Sequence, residues 1–241
     1  MTTSTVILHR NTDRGHSRWS WLDSRHSFSF DRFYDEQRMG FGALRVLNED
    51  RVAPGAGFPT HPHRHMEILS LPLQGHLLHR DSTGSGMKIS AGEVQLMSAG
   101  TGIRHSEYNG SGEEEAHFLQ IWIQPDERGT APAYHKMTPE TPLAGSLQLL
   151  AGPPGAGGLP LRQQARVYRG RICPGEELPL KSWRAGNGLY VFLLEGDLQA
   201  DRTDLHPGDG AGFPDGRTTL AVTEGAGGDA VFLLFDVPMN P

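Results

Sequence analysis

Apolar residues in this 241-residue chain come in short runs that alternate with polar residues or stay continuous for only four to six positions. Examples are Ile68-Leu69-Ser70-Leu71, the run from Phe118 to Ile123, the run from Leu189 to Leu194, and Val231-Phe232-Leu233-Leu234-Phe235. Most are bounded by Gly, Pro, Asp or Ser, and none extends into a sustained helical period. Runs of this length between turn residues predict β-strands, so the chain reads as all-β. The best helix candidate is one short segment within residues 125–140. Residues 151–160, Ala-Gly-Pro-Pro-Gly-Ala-Gly-Gly-Leu-Pro, are too rich in glycine and proline for a core strand. They predict a loop at or near a domain boundary.

The length allows one large β domain or two of about 100–125 residues each. A weak internal repeat favours two. Residues 71–75 (Leu-Pro-Leu-Gln-Gly) are followed 17 positions later by Gly92, and residues 192–196 (Phe-Leu-Leu-Glu-Gly) are followed 12 positions later by Gly208. Each copy reads as strand, glycine turn, strand, and a second glycine turn beside an acidic residue, which predicts a hairpin in each half of a duplicated antiparallel barrel. The 31 glycines agree with many tight turns. The division expected is 1–140 and 141–241.

Charge and composition narrow the function classes. The net charge is −6, and no basic run exceeds two residues, which argues against a nucleic-acid surface. No apolar stretch approaches the roughly 20 residues that cross a bilayer. The first residues lack the basic start and apolar core of a signal peptide. One cysteine, Cys173, leaves no internal disulfide framework, so a cytoplasmic setting is the default.

Twelve histidines remain, and they are not scattered evenly. On an extended strand, side chains two apart share a face, so His61 and His63 point the same way. His65 and Glu67 have the same parity. Pro62, between the two histidines, suits an edge strand at a barrel mouth. A second dyad, His105 and Glu107, follows 42 residues after His63. Two such pairs on neighbouring strands converge into three imidazoles and one carboxylate, leaving one or two positions of an octahedral ion open. That donor set suits Fe(II), Mn, Ni, Zn or Cu, and the lack of thiolates argues against a closed structural zinc site.

These segments resemble the cupin motifs. His61-Pro62-His63-Arg64-His65-Met66-Glu67 fits the first, and Gly92 through Asn109 resembles the second, with Ser98 where many cupins have proline. More narrowly, Gly57-Phe58-Pro59-Thr60-His61-Pro62-His63-Arg64, Met97-Ser98-Ala99-Gly100-Thr101-Gly102 and His105-Ser106-Glu107 resemble the pirin family. So do the stretches from Trp21 to Phe30 and from Met39 to Val46. The likeness is strong over about residues 6–125 and looser beyond.

The resemblance implies two cupin-type β-barrels, a bicupin, with one divalent metal in the first, usually iron. It assigns the carboxylate ligand to Glu107 rather than Glu67, so the expected set is His61, His63, His105 and Glu107. Glu107 would also take a substrate proton if it can release or loosen its metal bond. Some members are similar to quercetinases, which open flavonols with dioxygen; others are described as regulators acting through protein contacts. At His65 the sequence departs from relatives, which tend to carry Gly or Asp; a rim or outer role is expected there.

Carrying the repeat across the chain puts Ser182, Arg184, Ala221 and Thr223 where the four ligands sit in the first half, so the second barrel is expected to hold no metal. Trp19, Trp21, Phe28 and Phe30 have strand spacing and read as core. Phe58, Met66 and Met97 are plausible lining of an aromatic pocket. The reading is thus a flavonol dioxygenase, with a non-catalytic metal-binding regulator as the alternative.

Overall fold

The computed structural model describes residues 6–84 and 86–241. Among these residues there is no α-helix, only two single 3-10 turns at Asn11–Asp13 and Glu36–Arg38. The strands form two barrels, each made of a seven-stranded sheet facing a four-stranded one.

In the first barrel the large sheet runs in the order Ala133–Met137, Val94–Ser98, Glu67–Gln74, Ala116–Ile123, Leu44–Val52, Leu22–His26, Gly15–Arg18. Its small sheet runs Gly57–His63, Ile103–Asn109, His76–Asp81, Gly86–Ser90. The second barrel repeats the small sheet as Glu177–Lys181, Arg217–Ala221, Leu198–Ala200, Thr203–Leu205. The repeat read from the sequence is therefore a repeat of topology, with one change of meaning. Gly75 and Gly196 do not turn hairpins: the strands on either side of each lie in different sheets. Both glycines have positive φ, 71° and 77°. A Cβ at Gly196 would collide with the Asp229 carbonyl oxygen. Only glycine meets both demands at that corner.

The two large sheets share one apolar core. Phe28, Phe41, Leu44, Leu47 and Ile121 from the first half of the chain pack with Leu150, Tyr190, Phe192 and Phe235 from the second. Tyr190 sits at its centre, with ring centroids 5.5 Å from Phe28 and 5.4 Å from Phe41. Burying an aromatic side chain of this kind contributes on the order of 2–3 kcal/mol. The strand Ile7–His9 ties the halves further, because it pairs with Gly210–Gly212 of the second sheet.

Two expectations need correction. Residues 125–140 hold no helix. Pro125, Gly129 and Pro132 interrupt that segment, and Ala133–Met137 is a strand paired with Val94–Ser98. The glycine-rich stretch 151–160 is a loop over 153–158, but its two ends are strand: it connects Ser146–Gly152 to Leu159–Pro160, which pair in parallel within the second sheet, and Ala151 and Leu159 are buried.

His65 lies just past the strand Gly57–His63 with φ at 50°, and its N–H donates to the Gly100 carbonyl at 2.9 Å. A left-handed backbone costs a non-glycine residue about 1–2 kcal/mol. His65→Gly should raise stability by up to about 1 kcal/mol in denaturant titration, with metal content unchanged. A loss of stability would show that imidazole packing outweighs the backbone strain.

Candidate metal centre

The strand Gly57–His63 lies at the edge of its sheet, where Pro59 and Pro62 cost no ladder bond on the open side. It pairs antiparallel with Ile103–Asn109, placing His105 opposite His61 and Ile103 opposite His63. A register shift then sets Glu107 opposite Phe58. The three imidazoles converge, with ring centroids 4.4 Å apart for His61 and His105, 4.8 Å for His61 and His63, and 4.9 Å for His63 and His105. One nitrogen from each lies within 4.8 Å of the others.

Hydrogen bonds set which nitrogen His61 and His105 offer. His61 Nδ1 lies 2.8 Å from the Pro59 carbonyl, so it carries the proton and leaves Nε2 as a free lone pair. His105 Nδ1 lies 3.4 Å from His79 Nδ1, and His79 Nε2 lies 3.1 Å from Asp81 Oδ2. A consistent set of protons runs from His105 Nδ1 to His79 and from His79 Nε2 to Asp81. That leaves His105 Nε2 free, and it is buried with no hydrogen-bond partner. An orphaned imidazole nitrogen facing two other imidazoles fits a cation.

Glu107 is buried, and both oxygens are held: Oε1 accepts from Ser70 Oγ at 2.8 Å, and Oε2 from Gln120 Nε2 at 2.6 Å. It groups with His79 and His105 within the same 4.8 Å limit. The four residues expected from the sequence therefore meet as two overlapping sets that share His105. Glu67 is elsewhere. Its Oε2 accepts from Ser98 Oγ at 2.8 Å and from the Arg162 N–H at 3.3 Å, and burial raises its pKa.

His79 was missed by the sequence reading. It sits directly across from Glu107, a relation set by strand pairing over 28 positions and invisible in local spacing. Its one sequence signal was the inward parity it shares with Leu77. His65 joins neither cluster and lines a separate cleft of about 790 Å³ with Arg128 and Arg184. No second-barrel residue belongs to either His/carboxylate group among the described residues.

A cavity of about 510 Å³ opens beside the imidazoles, lined by His61, His63, Glu107, Trp19, Trp21, Phe30, Phe58 and Trp122. Trp21, Trp19 and Phe30 thus face the cavity, and of the four aromatics expected in the core only Phe28 is fully buried there. Phe58 packs edge-on against Trp21 at 5.3 Å. Met97 is fully buried away from the cavity, and Met66 lines other surfaces.

The Pirin family profile matches residues 8–123, and that of the Quercetinase C-terminal cupin domain matches residues 149–237. The "Quercetin 2,3-dioxygenase" of Escherichia coli K12 is 39% identical over 233 residues, covering 97% of this chain and 99% of the relative. The chain belongs to the pirin family. Among solved pirins, YhhW from Escherichia coli superposes with a TM-score of 0.90 at 37% identity, covering 97% of this chain and 98% of YhhW. YhhW in complex with nickel(II) superposes at 0.89, again at 37% identity, with 97% and 99% covered. The imidazole cluster of this family member is itself a donor set that fits a divalent metal.

Since losing even an outer partner of a ligand costs about 10–100-fold in metal affinity, the double change His61→Ala with His63→Ala should leave the purified protein essentially metal-free. Glu67→Gln should keep its metal. Elemental analysis decides both, and undiminished metal in the double variant would remove the cluster from consideration.

Acid should release the metal late. Burial lowers the pKa of His63 to about 4 and of His105 to about 3, with neighbouring imidazoles adding to the effect. A lowered pKa keeps these rings neutral, the form that binds metal, until pH falls towards those values. Occupancy should hold from about pH 7 to 5 and fall as pH approaches about 4. Loss already between about pH 8 and 7, read by metal analysis after desalting, would contradict this.

Proposed function

We propose that the protein is a metal-dependent dioxygenase of the quercetinase type, opening flavonols with dioxygen, and that its native metal is Fe(II). The observation that carries this reading is the junction of three converging imidazoles with an aromatic-walled cavity large enough for a planar polyphenol. Near-full-length similarity to a quercetin 2,3-dioxygenase supports the same substrate class.

His61, His63, His105 and Glu107 would hold the ion. A divalent ion bound there supplies Lewis acidity that makes a coordinated flavonol hydroxyl more acidic. The remaining work falls to the side chains. Glu107 accepts the hydroxyl proton, and Ser70 and Gln120 keep its carboxylate oriented towards the cavity. His79 and Asp81 hold the His105 ring in the tautomer that leaves Nε2 free. Trp21, Phe58 and Trp122 offer flat apolar faces to the substrate rings and exclude water from them.

Iron-loaded protein should consume quercetin and dioxygen together, seen as loss of the flavonol's visible absorption and as uptake on an oxygen electrode. Metal-free protein should do neither. If no metal loading gives turnover above that of free metal, the enzyme reading fails and the regulatory alternative replaces it.

A further inference from the structure

The strand Leu44–Val52 sends two polar side chains into the wall of the aromatic cavity. Asn48 and Asp50 are two apart, share a face, and are only 2% and 4% exposed. Asp50 is paired in register with Ser24, and the Ser24 hydroxyl is its one hydrogen-bond partner among the described residues. The Asn48 amide oxygen has His26 as its polar neighbour but makes no hydrogen bond of good geometry. Asp50 joins neither His/carboxylate group at the metal centre. Buried polar groups with spare hydrogen-bonding capacity are rare, because leaving them unmet is costly. A ligand that brings hydroxyl groups into the cavity would meet them.

Ser24 is itself steadied. Its Oγ lies 3.5 Å from His26 Nδ1, and His26 Nε2 lies 3.1 Å from Ser17 Oγ. These residues form a polar stripe along an otherwise aromatic wall. We propose that Asp50, positioned by Ser24 and joined by Asn48, is a specificity-determining residue that binds a ring hydroxyl of a polyphenol, apart from the flavonol's adjacent carbonyl and hydroxyl, the pair that would face the metal centre. The inference rests on the flavonol reading and deepens it.

The chemistry suits a phenol in particular. A phenol hydroxyl donates to a carboxylate and accepts from a carboxylic acid, so it engages Asp50 in either form. Burial, aided by the charge of Glu107, raises the Asp50 pKa to about 7. Apolar walls discriminate weakly between flavonols that differ by a hydroxyl, whereas a site built to hydrogen-bond that hydroxyl rejects the analogue lacking it.

The test uses metal-loaded full-length protein titrated calorimetrically with quercetin and with 3-hydroxyflavone. The second ligand keeps the metal-facing pair and has no other hydroxyl. Wild type should prefer quercetin by about tenfold or more, and Asp50→Val should remove most of that preference by weakening quercetin alone. Ser24→Ala should lower it part of the way. Metal content and Tm establish that each variant is folded. If Asp50→Val does not fold, Ser24→Ala and Asn48→Leu decide by the same ratio. A preference retained in the folded variants, or both ligands weakened alike, overturns the assignment. Equal binding of both ligands by wild type overturns it while leaving the flavonol reading intact. Binding of neither overturns both.

Discussion

The pairing of Gly57–His63 with Ile103–Asn109 is the constraint on which the rest of the molecule depends. It brings a histidine pair and a His-Glu pair, 42 residues apart in sequence, onto facing positions of two neighbouring strands. The approach is close. A Cβ at Gly57 would collide with the Glu107 carbonyl oxygen, so only glycine lets the strands close at that point. Once they close, burial keeps His63 and His105 neutral and ready to ligate, and hydrogen bonds to the second nitrogen orient His61 and His105.

The two barrels show how one topology serves two purposes. Their small sheets have the same strand order, yet their interiors differ. The second barrel is filled largely by apolar side chains, Leu189, Val191, Leu193, Phe213, Leu220, Phe232 and their neighbours. The first divides its apolar residues into two smaller groups, one around Leu77, Ile89 and Phe118 and one around Ile68, Met97 and Ile103. The histidines, Glu107 and the aromatic cavity occupy the first barrel along with these groups. The second barrel packs its large sheet, through the shared core, against the sheet that carries Ser70, Gln120 and Asp50.

Polar residues within the first barrel are organised rather than incidental. Ser70 and Gln120 restrain Glu107, His79 and Asp81 restrain His105, and Ser24 restrains Asp50. Each of these buried groups is offset by a partner, most of them on another strand, which is why the site needs the whole barrel and not one motif.

The strand content, the duplication and the His61–His63 and His105–Glu107 dyads were legible in the sequence. All of these rest on local periodicity or on motif spacing, and a strand's two-residue period is a local property. Tertiary structure decided the rest. The glycine turns carry the chain between sheets instead of closing hairpins, since a turn's shape does not reveal which strands pair across it. Trp19, Trp21 and Phe30 line a cavity, because alternation separates two faces of a strand without saying which face meets a neighbour. His79 and Asp50 acquire their roles from residues opposite them in register, at separations of 28 and 26 positions. Such contacts exist only once long-range pairing has formed, and no local pattern encodes them.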